Sequence, residues 1–142
     1  MTSDKLQELI AMRGALMAPA VIMDDVYALP TRKWIAGAFS DSYWSNLRAR
    51  CLAGYLPNKN DCDKFARRAW ADASDCHART PGHEGQGLAF GLWLYVAPGG
   101  PHCINFAICG ETPEDVLFWE PQTQRIVPLT TKEIESCFGY II

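Results

Sequence analysis

Three residues able to carry out nucleophilic chemistry stand in a fixed order along the chain. Cys62 lies in Asn60-Asp61-Cys62-Asp63-Lys64-Phe65-Ala66, His102 opens His102-Cys103-Ile104-Asn105-Phe106-Ala107-Ile108, and Glu120 closes Leu117-Phe118-Trp119-Glu120 ahead of Pro121-Gln122. A thiol becomes a strong nucleophile when a base takes its proton and a further acceptor holds that base in place. In this order Cys62 is the candidate nucleophile, His102 the base and Glu120 the orienting acid, and the reaction class is acyl transfer through a thioester. The Cys62 backbone N–H, Gln122 and Asn105 are the candidates for oxyanion and orienting roles.

Each of these residues has an ordinary reading beside the chemical one. Cys62 falls at the first turn of an expected helix, where exposed N–H groups favour a thiolate. Asp61 and Asp63 oppose that, because neighbouring negative charge raises a thiol pKa. The bland alternative is a buried structural cysteine. His102 shares strand parity with Ile104, Phe106 and Ile108, so it lies on an apolar face at a sheet end, where a satisfied core histidine is common. Glu120 shares parity with Val116 and Phe118. A carboxylate ending such a face requires a partner, and His102 would supply one and fix its own tautomer in return. Otherwise Glu120 is a surface acid before a turn.

Metal binding is the competing chemistry. Cys76, His77 and His83, with Cys62 or Cys103, could be assembled into a zinc site, but their spacing matches no Cys-x-x-Cys or His-x-x-x-His pattern. Asp61 and Asp63, like Asp24 and Asp25, could serve a calcium ion, although no EF-hand loop pattern is present.

The elements that must position these groups change character midway. Apolar residues at helical spacing predict helices over 4–17, over a short segment capped by Thr31, over 41–52 and over 62–73. Beyond the polar loop Thr80–Gly87 the period shortens. Strands are expected at 88–96, 102–109, 115–120 and 125–128, with a final strand at 138–142. Thr130-Thr131-Lys132-Glu133 has the form of a capping box. Helices first and strands after predict an α+β fold, with N-terminal helices packed on a C-terminal antiparallel sheet. No repeat or linker interrupts the chain, so one domain over 1–142 is the expectation.

Composition narrows the partners. The 142 residues are 49% hydrophobic and 20% charged, as in a globular domain with a real core. A net charge of −3 gives no reason to expect nucleic acid. No apolar run reaches membrane-spanning length and no signal-peptide region opens the chain, so a cytoplasmic protein is expected, in a bacterium or a phage-infected host. In that compartment the six cysteines are expected as free thiols.

The blocks around Cys62, His102 and Glu120-Pro121-Gln122 together resemble the papain-like cysteine peptidase domain at the C-terminus of the Marasmius oreades agglutinin, and its small stand-alone bacterial and phage relatives. The resemblance spans residues 60–123. It implies a papain-like fold and thiol-protease activity on a protein or peptide substrate. It assigns the catalytic triad to Cys62, His102 and Glu120, and it implies a calcium requirement. Two alternatives stand beside it. One is a peptidoglycan hydrolase similar to NlpC/P60 proteins, which also place Asp-Cys at a helix start and a histidine at a strand start. The other is a non-catalytic binding module of the same fold, such as a phage protein docking on a host target.

Overall fold

Thr2 starts the first helix by accepting a hydrogen bond from the Lys5 amide, and α1 runs Ser3–Ile10 with Leu6, Leu9 and Ile10 buried. These are details of a computed structural model, which describes residues 1–15, 18–113 and 115–142. The cap is Thr2 rather than Ser3 or Asp4. The helix also ends sooner than the expected 4–17: Ala11–Ala15 form a wider π-helical turn in which Gly14 has φ +110°. A residue with a Cβ is strained in that region, and here a Cβ would also meet Glu135 at 3.3 Å. Leu16 and Met17, the last two residues of the expected helix, lie outside the described residues.

Thr31 caps the next helix through the Trp34 amide, as expected. The two helices read from the sequence here form one helical run. α2 (Arg32–Trp34) passes through a π-helical turn at Ile35–Phe39 into α3 (Ser40–Ala49). The Ser40 hydroxyl donates to the Ile35 carbonyl, which helps hold the widened turn. α4 (Cys62–Ala78) extends past the expected end at Ala73 and buries Phe65, Ala66, Ala69 and Ala73 along one stripe. That stripe follows the helical period and lies on the sheet.

The main sheet has six strands. β1 (Ala20–Val21), β4 (Phe90–Ala97), β5 (Gly100–Ile108), β6 (Val116–Glu120), β7 (Arg125–Val127) and β8 (Gly139–Ile141) run in the spatial order β1-β8-β4-β5-β6-β7. From β8 to β7 every pairing is antiparallel; β1 adds a parallel edge. A second, two-stranded parallel sheet joins β2 (Tyr27–Ala28) to β3 (Gly87–Leu88). The expected all-antiparallel sheet is therefore modified by short N-terminal strands whose partners lie far along the chain. Gly91 permits the close approach of the C-terminus, since a Cβ there would sit 2.1 Å from the Ile141 carbonyl.

Both faces of the sheet are covered. Ile104, Phe106, Ile108 and Phe118 pack with α1 and Trp93 on one face. Ala107, Cys109, Leu117 and Trp119 pack with α3 and α4 on the other. The second face carries an aromatic cluster in which Phe39 contacts Trp34, Tyr43, Phe90 and Trp119, with ring centroids 4.8–6.1 Å apart. A short helix, α5 (Thr131–Glu135), begins with the full capping box formed by Thr130 and Glu133. The α+β class holds, while the expected order of helices first and strands after is broken by β1 and β2, which precede α2 to α4, and by α5, which lies between β7 and β8.

Candidate functional site

Alternation along β5 and β6 sets the geometry. His102 and Glu120 share the parity of Ile104 and Phe118, and the twisted ends of the two strands bring them together. His102 Nε2 lies 2.7 Å from Glu120 Oε2, with both side chains mostly covered. The second carboxylate oxygen, Oε1, accepts the Gln122 amide at 3.0 Å. Glu120 is therefore held from both sides, and the imidazole orientation is fixed with Nδ1 left for another partner. Tyr95, directly across the β4–β5 pairing from His102, stands edge-on to the imidazole at 5.7 Å. Burial pushes the Tyr95 hydroxyl up to about 12, with further upward pushes from Glu133, Glu120 and Cys62, so it stays a neutral donor.

Cys62 meets the sheet one residue further on. It packs against the small cluster of Ala66, Leu92 and Cys103. Cys103 is buried, and burial first, then the negative charge available at Cys62, Asp63 and Glu120, pushes its thiol up to about 12. Cys62 and Glu120 thus act electrostatically on the same two neighbours, Tyr95 and Cys103. Among the described residues no hydrogen bond joins Cys62 to His102; the imidazole's partner is Glu120. The structure pairs the expected base with the expected acid and puts the thiol beside them on the α4 side.

The supporting candidates are placed as follows. Asn105 is fully buried, and its amide donates to the Ala66 carbonyl of α4 at 3.0 Å and the Gly91 carbonyl of β4 at 3.1 Å. Its donors are spent on joining helix to sheet. Gln122 contributes its backbone amide, to Glu120. Asp61 and Asp63 converge on one ammonium, with Lys64 Nζ 3.1 Å from Asp61 and 2.9 Å from Asp63. Asp61 also accepts the Asn58 amide. Hydrogen bonding with Asp63 and then Lys64 holds its carboxyl down at about 2. Two carboxylates already closed around a lysine do not make the open oxygen cage that calcium takes. Among the described residues no group of three or more His, Cys, Asp or Glu side chains could hold a metal, so Cys76, His77 and His83 do not form the zinc site weighed from the sequence.

Sequence reasoning missed Tyr95, whose cross-strand position opposite His102 becomes visible only once the hairpin register is known. It also missed where the open space lies. Among the described residues, the best-formed cavities, of 310–550 Å³, are lined by residues other than Cys62, His102 and Glu120. Three of them share His77, near the opposite end of α4.

No protein-family profile matches the chain, and no curated protein matches it. Solved structures do. A complex of PSL1a with E64 superposes with a TM-score of 0.82 at 17% identity, over 100% of this chain and 50% of that one. The Polyporus squamosus lectin bound to the human-type influenza-binding epitope Neu5Acα2-6Galβ1-4GlcNAc superposes with a TM-score of 0.79 at 18% identity, over 100% of this chain and 49% of that one. The chain spans about half the length of these structures, and at this identity the likeness establishes the fold alone.

These matches correct the family expected from the three motif blocks. The two structures named are complexes of the Polyporus squamosus lectin, and no family or sequence match places the chain among the papain-like cysteine peptidases of the agglutinin type, so that membership does not stand. With it fall the expected descriptions of the chain as a hydrolase, a thiol protease or a bearer of a catalytic triad. No helix among the described residues is long and apolar enough to cross a membrane.

Proposed function

We propose that this chain is a non-catalytic binding module and that its partner carries carbohydrate. The observation that carries the reading is the whole-length likeness to a lectin, at a TM-score of 0.82 and 0.79 in two structures. Two features of the chain support it. Three cavities adjoin at His77, toward the other end of α4 from Cys62, and the His102 imidazole is engaged by Glu120. A carbohydrate partner thereby replaces the protein or peptide substrate expected from the sequence.

The test is direct binding of Neu5Acα2-6Galβ1-4GlcNAc and of Galβ1-4GlcNAc, measured by calorimetry and by a glycan array. Saturable binding that survives Cys62→Ser supports the reading. An array with no signal, together with flat calorimetry, overturns it.

A second reading keeps a chemical role for Cys62, and the 2.7 Å His102–Glu120 pair favours it. An imidazole oriented by a carboxylate beside a thiol at the first turn of a 17-residue helix is suited to taking the thiol proton as an electrophile approaches. E64, which forms a complex with PSL1a, is a convenient probe. A Cys62-dependent mass increase on incubation with E64, lost in His102→Ala, would put thiol chemistry ahead of simple binding. No adduct leaves the binding reading in place.

A further inference from the structure

The concave surface around His77 is built from two walls of different chemistry. A cavity of about 310 Å³ opens between the segment entering α2 and the C-terminal half of α4. Leu29, Trp34 and Leu88 form its apolar side, and His77, Thr80 and His83 its polar side. Trp34 is stacked on buried Phe39 at 4.8 Å and 28°, so its indole is held in place before any ligand arrives. A cavity of about 550 Å³ over the 77–86 segment shares His77, Thr80 and His83, and one of about 390 Å³ beside Trp70 shares His77 and Leu88. His77 therefore stands at the junction of three adjoining spaces.

The polar wall offers fixed, unspent hydrogen-bonding capacity. His77 Nε2 lies 2.9 Å from the Gln86 carbonyl. A carbonyl only accepts, so Nε2 is the donor in this contact, and Nδ1 is left for a further partner. The Thr80 hydroxyl donates to the Cys76 carbonyl at 3.0 Å, leaving its oxygen lone pairs free. The His83 ring lies 5.4 Å from that of His77, and the side chain is exposed. The formal charges lining these spaces are few and mixed: Arg79 and Glu84 in the 550 Å³ cavity and Asp24 in the 390 Å³ one. A phosphate or nucleotide would require clustered cations, which this surface lacks. A purely apolar ligand would strand the imidazole and hydroxyl groups.

We propose that this cavity is a saccharide-binding site. A pyranose ring has an apolar C–H face suited to the Trp34 side and hydroxyls suited to His77 Nδ1, Thr80 and His83. The two flanking cavities would take the neighbouring sugar units of a di- or trisaccharide. The site lies well away from Cys62, toward the far end of α4. The assignment rests on the binding-module reading and says where on this chain the sugar sits.

The experiment uses Galβ1-4GlcNAc and Neu5Acα2-6Galβ1-4GlcNAc as probes, with calorimetry for affinity and NMR for the Trp34 indole N–H and the His77 and His83 rings. The wild-type chain is expected to shift those three signals on titration. His83→Ala and Trp34→Phe are each expected to raise Kd about tenfold, equivalent to ~1.4 kcal/mol, while Lys132→Ala in α5 leaves it unchanged. His83→Ala removes an exposed side chain, so its folding is not in question if Trp34→Phe proves unstable. If the wild type binds either glycan and His83→Ala retains full affinity without shifts at His77 or Trp34, the site assignment is wrong and the binding-module reading stands. If the wild type binds neither glycan, both fail.

Discussion

His102 Nε2 and Glu120 Oε2 are 2.7 Å apart at the ends of neighbouring strands, and the other oxygen of Glu120 is held by the Gln122 amide. This arrangement makes Glu120 the residue that fixes the imidazole. Glu120→Gln is expected to destabilise the fold by ~1–2 kcal/mol, because it weakens the hydrogen bonds that the Glu120 side chain accepts from His102 and the Gln122 amide. Urea unfolding of the two proteins measures it. Equal midpoints would mean that the pair contributes nothing to stability.

The cysteines offer a second check. Burial pushes the thiols of Cys103, Cys109 and Cys137 up to about 12, 11 and 11. A raised thiol pKa keeps the group protonated and unreactive below that value. Iodoacetamide at pH 8 is therefore expected to label Cys51, Cys62 and Cys76 in the folded protein and to spare the other three until it unfolds. Peptide mass mapping over time reads this out. Under the binding-module reading, Cys62 reacts at a rate comparable to Cys51 and Cys76.

Asn105 tests whether a buried amide joins helix to sheet or serves chemistry. Both of its donated bonds cross between elements, to Ala66 in α4 and Gly91 in β4. Asn105→Ala leaves two buried carbonyls without that donor and opens a small void, for an expected loss of ~2–3 kcal/mol. Thermal melting should fall accordingly. A variant of wild-type stability would remove this residue from the account of the fold.

The capping box at α5 gives a pH dependence with a definite sign. Glu133 accepts from the Thr130 amide and hydroxyl, and those bonds hold its carboxyl below the ordinary value of 4.5. A depressed carboxyl contributes stability that is fully present above its unfolded pKa and lost as pH falls through its folded one. Glu133→Gln is expected to cost up to ~1 kcal/mol at pH 7, and the difference from wild type should vanish in the most acidic part of an unfolding series. A difference that persists unchanged there would rule out the charge as its source.

The residue types and their periods were enough to place many of the elements. Apolar spacing located α4 and the strands β4 to β8, Thr31 and Thr130 announced their own caps, and helices followed by strands gave the α+β class. Local signals failed where distant chain segments decide. The π-helical turn at Ala11–Ala15 lies against α5, and Phe39 of the turn at Ile35–Phe39 lies against Phe90 and Trp119 of the sheet. The strands β1 and β2 are two residues each and exist only because β8 and β3 supply their hydrogen bonds.

The candidate site divides along the same line. Sequence alone determined that a cysteine begins a helix and that a histidine and a glutamate end strands of matching parity, and the His102–Glu120 pair follows from that parity together with the β5–β6 pairing. Only the tertiary structure decided that Lys64 sits between Asp61 and Asp63, that Asn105 spends its amide between helix and sheet, and that three cavities adjoin at His77. Parity and capping are short-range properties, fixed by a few consecutive residues. Cavities and spent donors depend on which distant surfaces meet, and only the folded arrangement specifies that.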